Sequence, residues 1–176
     1  MLTRRTFIAG AAATCATSRA HATPPGFHKI TFKHLKPGDQ VAFRMSGDTY
    51  LLRYRTQAEI KAARHIDAAA LPRPIDWFGN SPVPADDRLR SVDPEGRYLL
   101  LRITCGPLGH VVIPGFESAY FCPYSGVRYD TSGRALTDKF ENLYAPMAWI
   151  DGDHIVVAPL QYAIAQLTIP KALGWR

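Results

Sequence analysis

Apolar and polar positions alternate along much of this chain in short runs separated by turn residues. Phe27–Lys33 (FHKITFK), Asp39–Met45 (DQVAFRM) and Thr49–Arg55 (TYLLRYR) follow the two-residue period of β-strands. Ser46-Gly47-Asp48 joins the second and third runs with the turn chemistry of a hairpin. Thr56-Gln57-Ala58-Glu59 then reads as a capping box, and Ile60–Arg64 continues it as a short helix. Residues 72–95, rich in Pro, Asp and Arg, read as a long surface loop, with Asp86, Asp87, Arg88 and Arg90 as a solvated charge cluster. Arg97–Thr104 (RYLLLRIT) is the most strongly buried strand and runs straight into Cys105. Further on, Ala148–Ile150 and His154–Val157 flank Asp151-Gly152, a second hairpin signal. The tail, 159–176, is apolar without a clear period. The pattern predicts a mainly antiparallel β domain with one short helix and two loops presented from neighbouring hairpins.

Composition changes little in this picture. At 176 residues, 47% hydrophobic and 20% charged, the chain has the material for one folded domain with its own core. The 14 prolines and 13 glycines fit many turns and argue against long helices. The N-terminus stands apart. Arg4 and Arg5 precede Phe7-Ile8, a mild Ala-rich stretch follows, and Ala20-His21-Ala22 supplies a cleavage pattern. Residues 1–22 therefore resemble a twin-arginine export signal. The alternative is a retained short anchor, although the apolar stretch, broken by Thr14, Thr17 and Arg19, falls short of the about 20 residues a spanning helix needs.

Those 22 residues hold three arginines and no acid, so without them the formal charge drops from +6 to +3. No basic run interleaved with aromatics occurs, and nucleic acid is not an expected partner. Of three cysteines, Cys15 lies in the signal, which leaves Cys105 and Cys122 as an even pair in an oxidising compartment.

The chemistry concentrates in two loops, 105–110 (CGPLGH) and 122–134 (CPYSGVRYDTSGR). Cys-Pro followed by a small residue, Gly and Tyr-Asp has the cadence of a tight metal-binding loop. The positions that should offer more ligands, however, hold Tyr124 and Ser125. The four other histidines (His28, His34, His65 and His154) read as surface residues at element edges. No Ser/His/Asp order, phosphate-binding glycine loop or paired acid points to hydrolysis or group transfer.

Together the loops resemble the two cluster-binding boxes of Rieske iron–sulfur proteins. The match is nearest to the iron–sulfur subunit of ubiquinol–cytochrome c reductase. TRRTF at the start, RTQAEIKAARHID at 55–67 and LYAP at 143–146 extend the likeness to roughly residues 1–158. The resemblance implies stacked antiparallel sheets over 23–158 with a small subdomain formed by the two loops. In the family a [2Fe–2S] cluster is held by two cysteines and two histidines. The corresponding positions are Cys105, Pro107, Cys122 and Ser125, so both nitrogen ligands are replaced. The family's inter-loop disulfide falls on His110 and Tyr124, and the serine that tunes the cluster falls on Val127. Gly109, Gly126, Tyr129, Asp130, Gly133 and Arg134 are kept. The family's Gly-Pro-Ala-Pro cover becomes Thr137-Asp138-Lys139-Phe140 ahead of Asn142-Leu143.

From this correspondence no bound cofactor, catalytic residue or enzymatic activity is expected. Two thiolates on one tetrahedral metal at about 2.3 Å lie roughly 3.7 Å apart, so a small inward shift joins Cys105 to Cys122 as a disulfide. Two free thiols are one alternative; a zinc or copper site on Cys105, His110 and Cys122 with a water is another. The implied role is a redox-inert accessory or structural subunit at a cytochrome bc complex or respiratory supercomplex. It would sit in the periplasm at the outer face of the inner membrane, held there by its partner or by a short N-terminal anchor. An electron-transfer subunit with atypical [2Fe–2S] ligation and a soluble periplasmic binding protein are the competing readings.

Overall fold

The structure is a computed structural model that describes residues 25–78, 81–105, 109–114, 120–137 and 140–159. The export-signal segment and the tail beyond Pro159 lie outside the described residues. In chain order the elements are β1 (His28–Thr31), β2 (Gln40–Met45), β3 (Asp48–Tyr54), α1 (Gln57–His65), β4 (Ile75–Phe78), β5 (Ser81–Pro84) and α2 (Asp87–Arg90). They continue as β6 (Tyr98–Arg102), β7 (Thr104–Cys105), β8 (His110–Val111), β9 (Ile113–Pro114), β10 (Tyr120–Phe121), β11 (Arg128–Tyr129), β12 (Ala148–Asp151) and β13 (His154–Val157). All strand pairings among them are antiparallel. Among the described residues no helix is long and apolar enough to cross a membrane.

The central layer is the sheet β2-β3-β6. Successive side chains on a strand point to opposite faces, and here both faces of β3 and β6 are buried. Leu51, Leu99 and Leu101 pack on one side with Cys105, Val112, Tyr120, Cys122, Val127, Tyr129 and Leu143. Tyr50, Leu52, Tyr98 and Leu100 pack on the other with Phe32, Ile155 and Val157, from or beside the sheet β1-β13-β12. The apolar run RYLLLRIT is thus the shared wall of two cores. The fold is mainly β and stacked, as the sequence pattern and the Rieske-like boxes imply.

Local chemistry sets the joins. Met45 pairs with Asp48, which leaves Ser46 and Gly47 as a two-residue loop with φ of 52° and 90°. Positive φ at both positions is the primed turn whose twist matches a hairpin. At α1 the Thr56 side chain accepts from Glu59 N, and the Glu59 carboxylate accepts from Thr56 N at 2.8 Å. Helix α1 then buries Ile60 and Ala63. The last hairpin turns one residue later than the sequence suggests, at Gly152-Asp153, because Asp151 pairs with His154.

The segment 72–95 is not a surface loop. It forms the β4-β5 hairpin and the single turn α2, and it buries Asp76, Asp87, Arg90 and Asp93 to between 1% and 4% exposure. Asp86 and Arg88 do lie outside, but Asp87 and Arg90 do not belong to a solvated cluster. The reason is pairing: charges are buried when matched by hydrogen-bonded partners. Those partners come from distant parts of the chain.

Candidate functional site

Strand β6 delivers the first loop by leading, through the buried Ile103, into β7. Ile103 N donates to Thr49 O, and Ile103 O accepts from Val112 N, so both ends of this loop hang on the central layer. The second loop closes on itself. Gly126 N donates to Cys122 O at 2.8 Å and Cys122 N to Val127 O at 2.9 Å. Its far end is a tight turn in which Asp130 Oδ1 accepts from the amides of Ser132 and Arg134, both at 2.9 Å. Gly133 has a φ of 73° there, and a Cβ on it would meet Leu101 Cδ1 at 2.8 Å and Leu143 Cβ at 3.1 Å.

Three buried guanidinium groups clamp this turn to the rest of the domain. Arg134, fully buried, donates through Nε to Asp130 at 2.6 Å, through Nη1 to Ala85 O at 3.2 Å and through Nη2 to Ala63 O at 2.9 Å. Arg90 donates to Ser132 O at 2.9 Å and Leu143 O at 2.5 Å; burial pulls its guanidinium down to about 10. Arg55 donates to Gly96 O at 2.8 Å, Ser91 Oγ at 2.7 Å and Asp87 Oδ1 at 2.5 Å, and the Ser132 hydroxyl donates to the same Asp87 oxygen. Burial alone would raise Asp87, but the hydrogen bonds from Arg55 and Ser132 and the Arg55 charge outweigh it and hold the carboxyl below its ordinary value. Asn142 ties the segment after the turn to the start of the β4-β5 hairpin: its Oδ1 accepts from Ala135 N at 2.8 Å, its Nδ2 donates to Arg73 O at 3.0 Å, and its backbone amide donates to Asp76.

On this base the loop tips meet. Cys105 and Cys122 are buried (3% and 0% exposed) and joined as a disulfide across 17 residues, with their Cα atoms 6.5 Å apart. The Ser125 hydroxyl lies 4.0 Å from Cys105 Sγ. His110 stands directly opposite Cys105 in the β7-β8 pair. Its ring stacks on Tyr124, centroids 3.8 Å apart and planes 19° from parallel, while Tyr124 itself is 70% exposed. Val127 is buried beside the sulfurs in the same core. Burial in that core raises the Tyr120 phenol, and it pushes Tyr129 up to about 12, so both stay neutral at ordinary pH.

Of the residues singled out from the sequence, Cys105, His110, Cys122, Tyr124 and Ser125 come together, and Pro107 lies outside the described residues. Among the described residues no three His, Cys, Asp or Glu side chains form a group able to hold a metal ion. The histidine ring is turned onto Tyr124.

The chain is 31% identical over 125 residues to the ubiquinol–cytochrome c reductase iron–sulfur subunit of Cereibacter sphaeroides, a match covering 68% of this chain and 67% of that one. The chain belongs to the Rieske iron–sulfur protein family. It is also 33% identical over 132 residues to the mitochondrial Rieske subunit of the cytochrome b-c1 complex of Gallus gallus, covering 73% of this chain and 44% of that one. The chain thus spans about two thirds of the bacterial relative and under half of the avian one. No family model matches. Among solved structures, a chain of a hyperthermophilic respiratory complex III aligns with a TM-score of 0.43 at 15% identity, over 72% of this chain and 71% of that one.

For this Rieske chain the kept residues Asp130, Gly133 and Arg134 explain themselves as framework. The Arg55-Asp87-Ser132 and Arg90 contacts were not legible in the sequence. The one signal for them is Arg55 itself, a charge that closes the run TYLLRYR just ahead of the capping box.

Proposed function

We propose that this protein is a Rieske-type subunit that has exchanged cluster binding for a structural role, and that it docks on a cytochrome bc complex as a redox-inert accessory subunit. The observation that carries the reading is the donor set at the loop tips. The two sulfurs at the family's thiolate positions are bonded to each other. The family's two nitrogen-ligand positions are a proline, which has no side-chain donor, and the Ser125 hydroxyl. These residues do not fit a [2Fe–2S] group, which needs free thiolates and, in this family, imidazole nitrogens. The binding scaffold, by contrast, is intact: Asp130, Gly133 and Arg134 hold the second loop by buried hydrogen bonds.

Docking has support of two kinds. The relatives carry the names of subunits of the ubiquinol–cytochrome c reductase or cytochrome b-c1 complex. The strands and turns bearing the loops also expose the apolar side chains Val111 (49%), Ile113 (47%), Tyr124 (70%) and Leu136 (48%), which a partner would cover. Export through the twin-arginine-type segment at 1–22 would place the domain in the periplasm, at the outer face of the inner membrane.

The test is affinity purification of the tagged chain from membranes, with metal content and haem spectra read on one sample. Co-purified b- and c-type haem with no iron–sulfur signal is the expected result. A brown protein with the EPR signal of a reduced cluster would establish the electron-transfer reading. Recovery free of any haem protein would favour a soluble periplasmic binding protein.

A further inference from the structure

Two contacts link the loops, one between buried residues and one reaching an exposed ring. Inside is the Cys105–Cys122 bond, at 3% and 0% exposure. Outside is the His110–Tyr124 stack, with Tyr124 mostly in solvent. Directly paired residues in a two-stranded sheet share a face, so His110 stands on the face of β7-β8 that carries Cys105. Tyr124 is two residues beyond Cys122, on the turn closed by the Gly126 N to Cys122 O bond. His110 Nε2 is buried without a hydrogen-bond partner among the described residues. An unpartnered ring nitrogen is a cost that water would relieve, so packing must hold the ring in place.

We propose that the His110–Tyr124 stack is a non-covalent clasp over the disulfide, which keeps the two loops together and admits thiol reductants only when it opens. The proposal rests on the reading of Cys105 and Cys122 as an oxidised pair.

The reaction it gates is thiol–disulfide exchange. A dithiothreitol thiolate attacks one sulfur, the Cys105–Cys122 bond breaks, and the displaced cysteine leaves as a thiolate that takes a proton from water. The second thiolate of the reductant then displaces the other cysteine and closes a cyclic disulfide. The protein gains two electrons and two protons, and dithiothreitol supplies the electrons.

The experiment measures the rate of this reduction under native conditions, by alkylation and mass, in the unaltered protein, Tyr124→Ala, Tyr124→Phe, His110→Ala and the double alanine variant. A stacked pair contributes enough that its loss should speed reduction about two- to tenfold. Tyr124→Phe should keep the slow rate, and the double variant should be no faster than the faster single one, since either substitution opens the same clasp. Equal rates in the unaltered protein and both alanine variants overturn the clasp while leaving the disulfide in place, and so do single effects that multiply in the double variant. Cysteines alkylated before any reductant is added overturn the oxidised-pair reading itself, and the clasp with it.

Discussion

Gly133 shows how a single residue decides whether the second loop can form. Its left-handed backbone and the 2.8 Å approach to Leu101 leave no space for a methyl group. Gly133→Ala should destabilise the domain by roughly 2–4 kcal/mol, read as a lower denaturation midpoint. Asp87 decides a second matter, the response to acid. Its carboxyl is held below the ordinary 3.8 when folded. A group with a depressed folded value contributes stability above its unfolded value and loses that contribution as pH falls through the folded one. Stability should therefore decline as the pH drops below about 4, and Asp87→Asn should flatten that decline in a pH series of thermal midpoints. Arg55→Met strands the same carboxylate without its main partner and should cost about 3–5 kcal/mol at neutral pH. A midpoint unchanged by Arg55→Met would mean that the buried network does not clamp the loop.

At the scale of elements, the capping box, the two hairpins and the buried strand of the central layer were legible because their signals are local. Thr56 and Glu59 are three residues apart, and each satisfies the other's backbone amide. Thr56→Ala should cost about 1 kcal/mol, measurable as a lower midpoint with little change in the loops. The β4-β5 hairpin and α2 were not legible. Asp76, Asp87 and Arg90 look like solvent-facing charges until their partners arrive from Asn142, Arg55, Ser132 and Leu143, between 32 and 66 positions away. Composition cannot register a match over such separations. The same holds for the stack of His110 on Tyr124, since neither residue taken singly announces the other.

For the whole molecule, a central sheet separates two cores, and the cysteine loops are built on one of them. Tip and base of the second loop are held separately: Ser125 and Val127 sit at the tip, whereas Asp130, Gly133 and Arg134 anchor the base. The family likeness was readable because those base positions are kept, and the pairing of Cys105 with Cys122 followed from where the family places its thiolates. How the loops touch beyond that pair depends on ring orientation, which a sequence does not carry.

In the function we propose, this Rieske scaffold carries a cysteine–cysteine bond in place of a cluster. Its most direct test is alkylation of the purified, unreduced protein followed by peptide mass mapping, with iron and acid-labile sulfide determined on the same sample. The expected result is a single cross-linked peptide containing Cys105 and Cys122, no alkylation of either residue, and no stoichiometric iron or sulfide. Stoichiometric iron and sulfide, with both cysteines free once the metal is chelated, would contradict it.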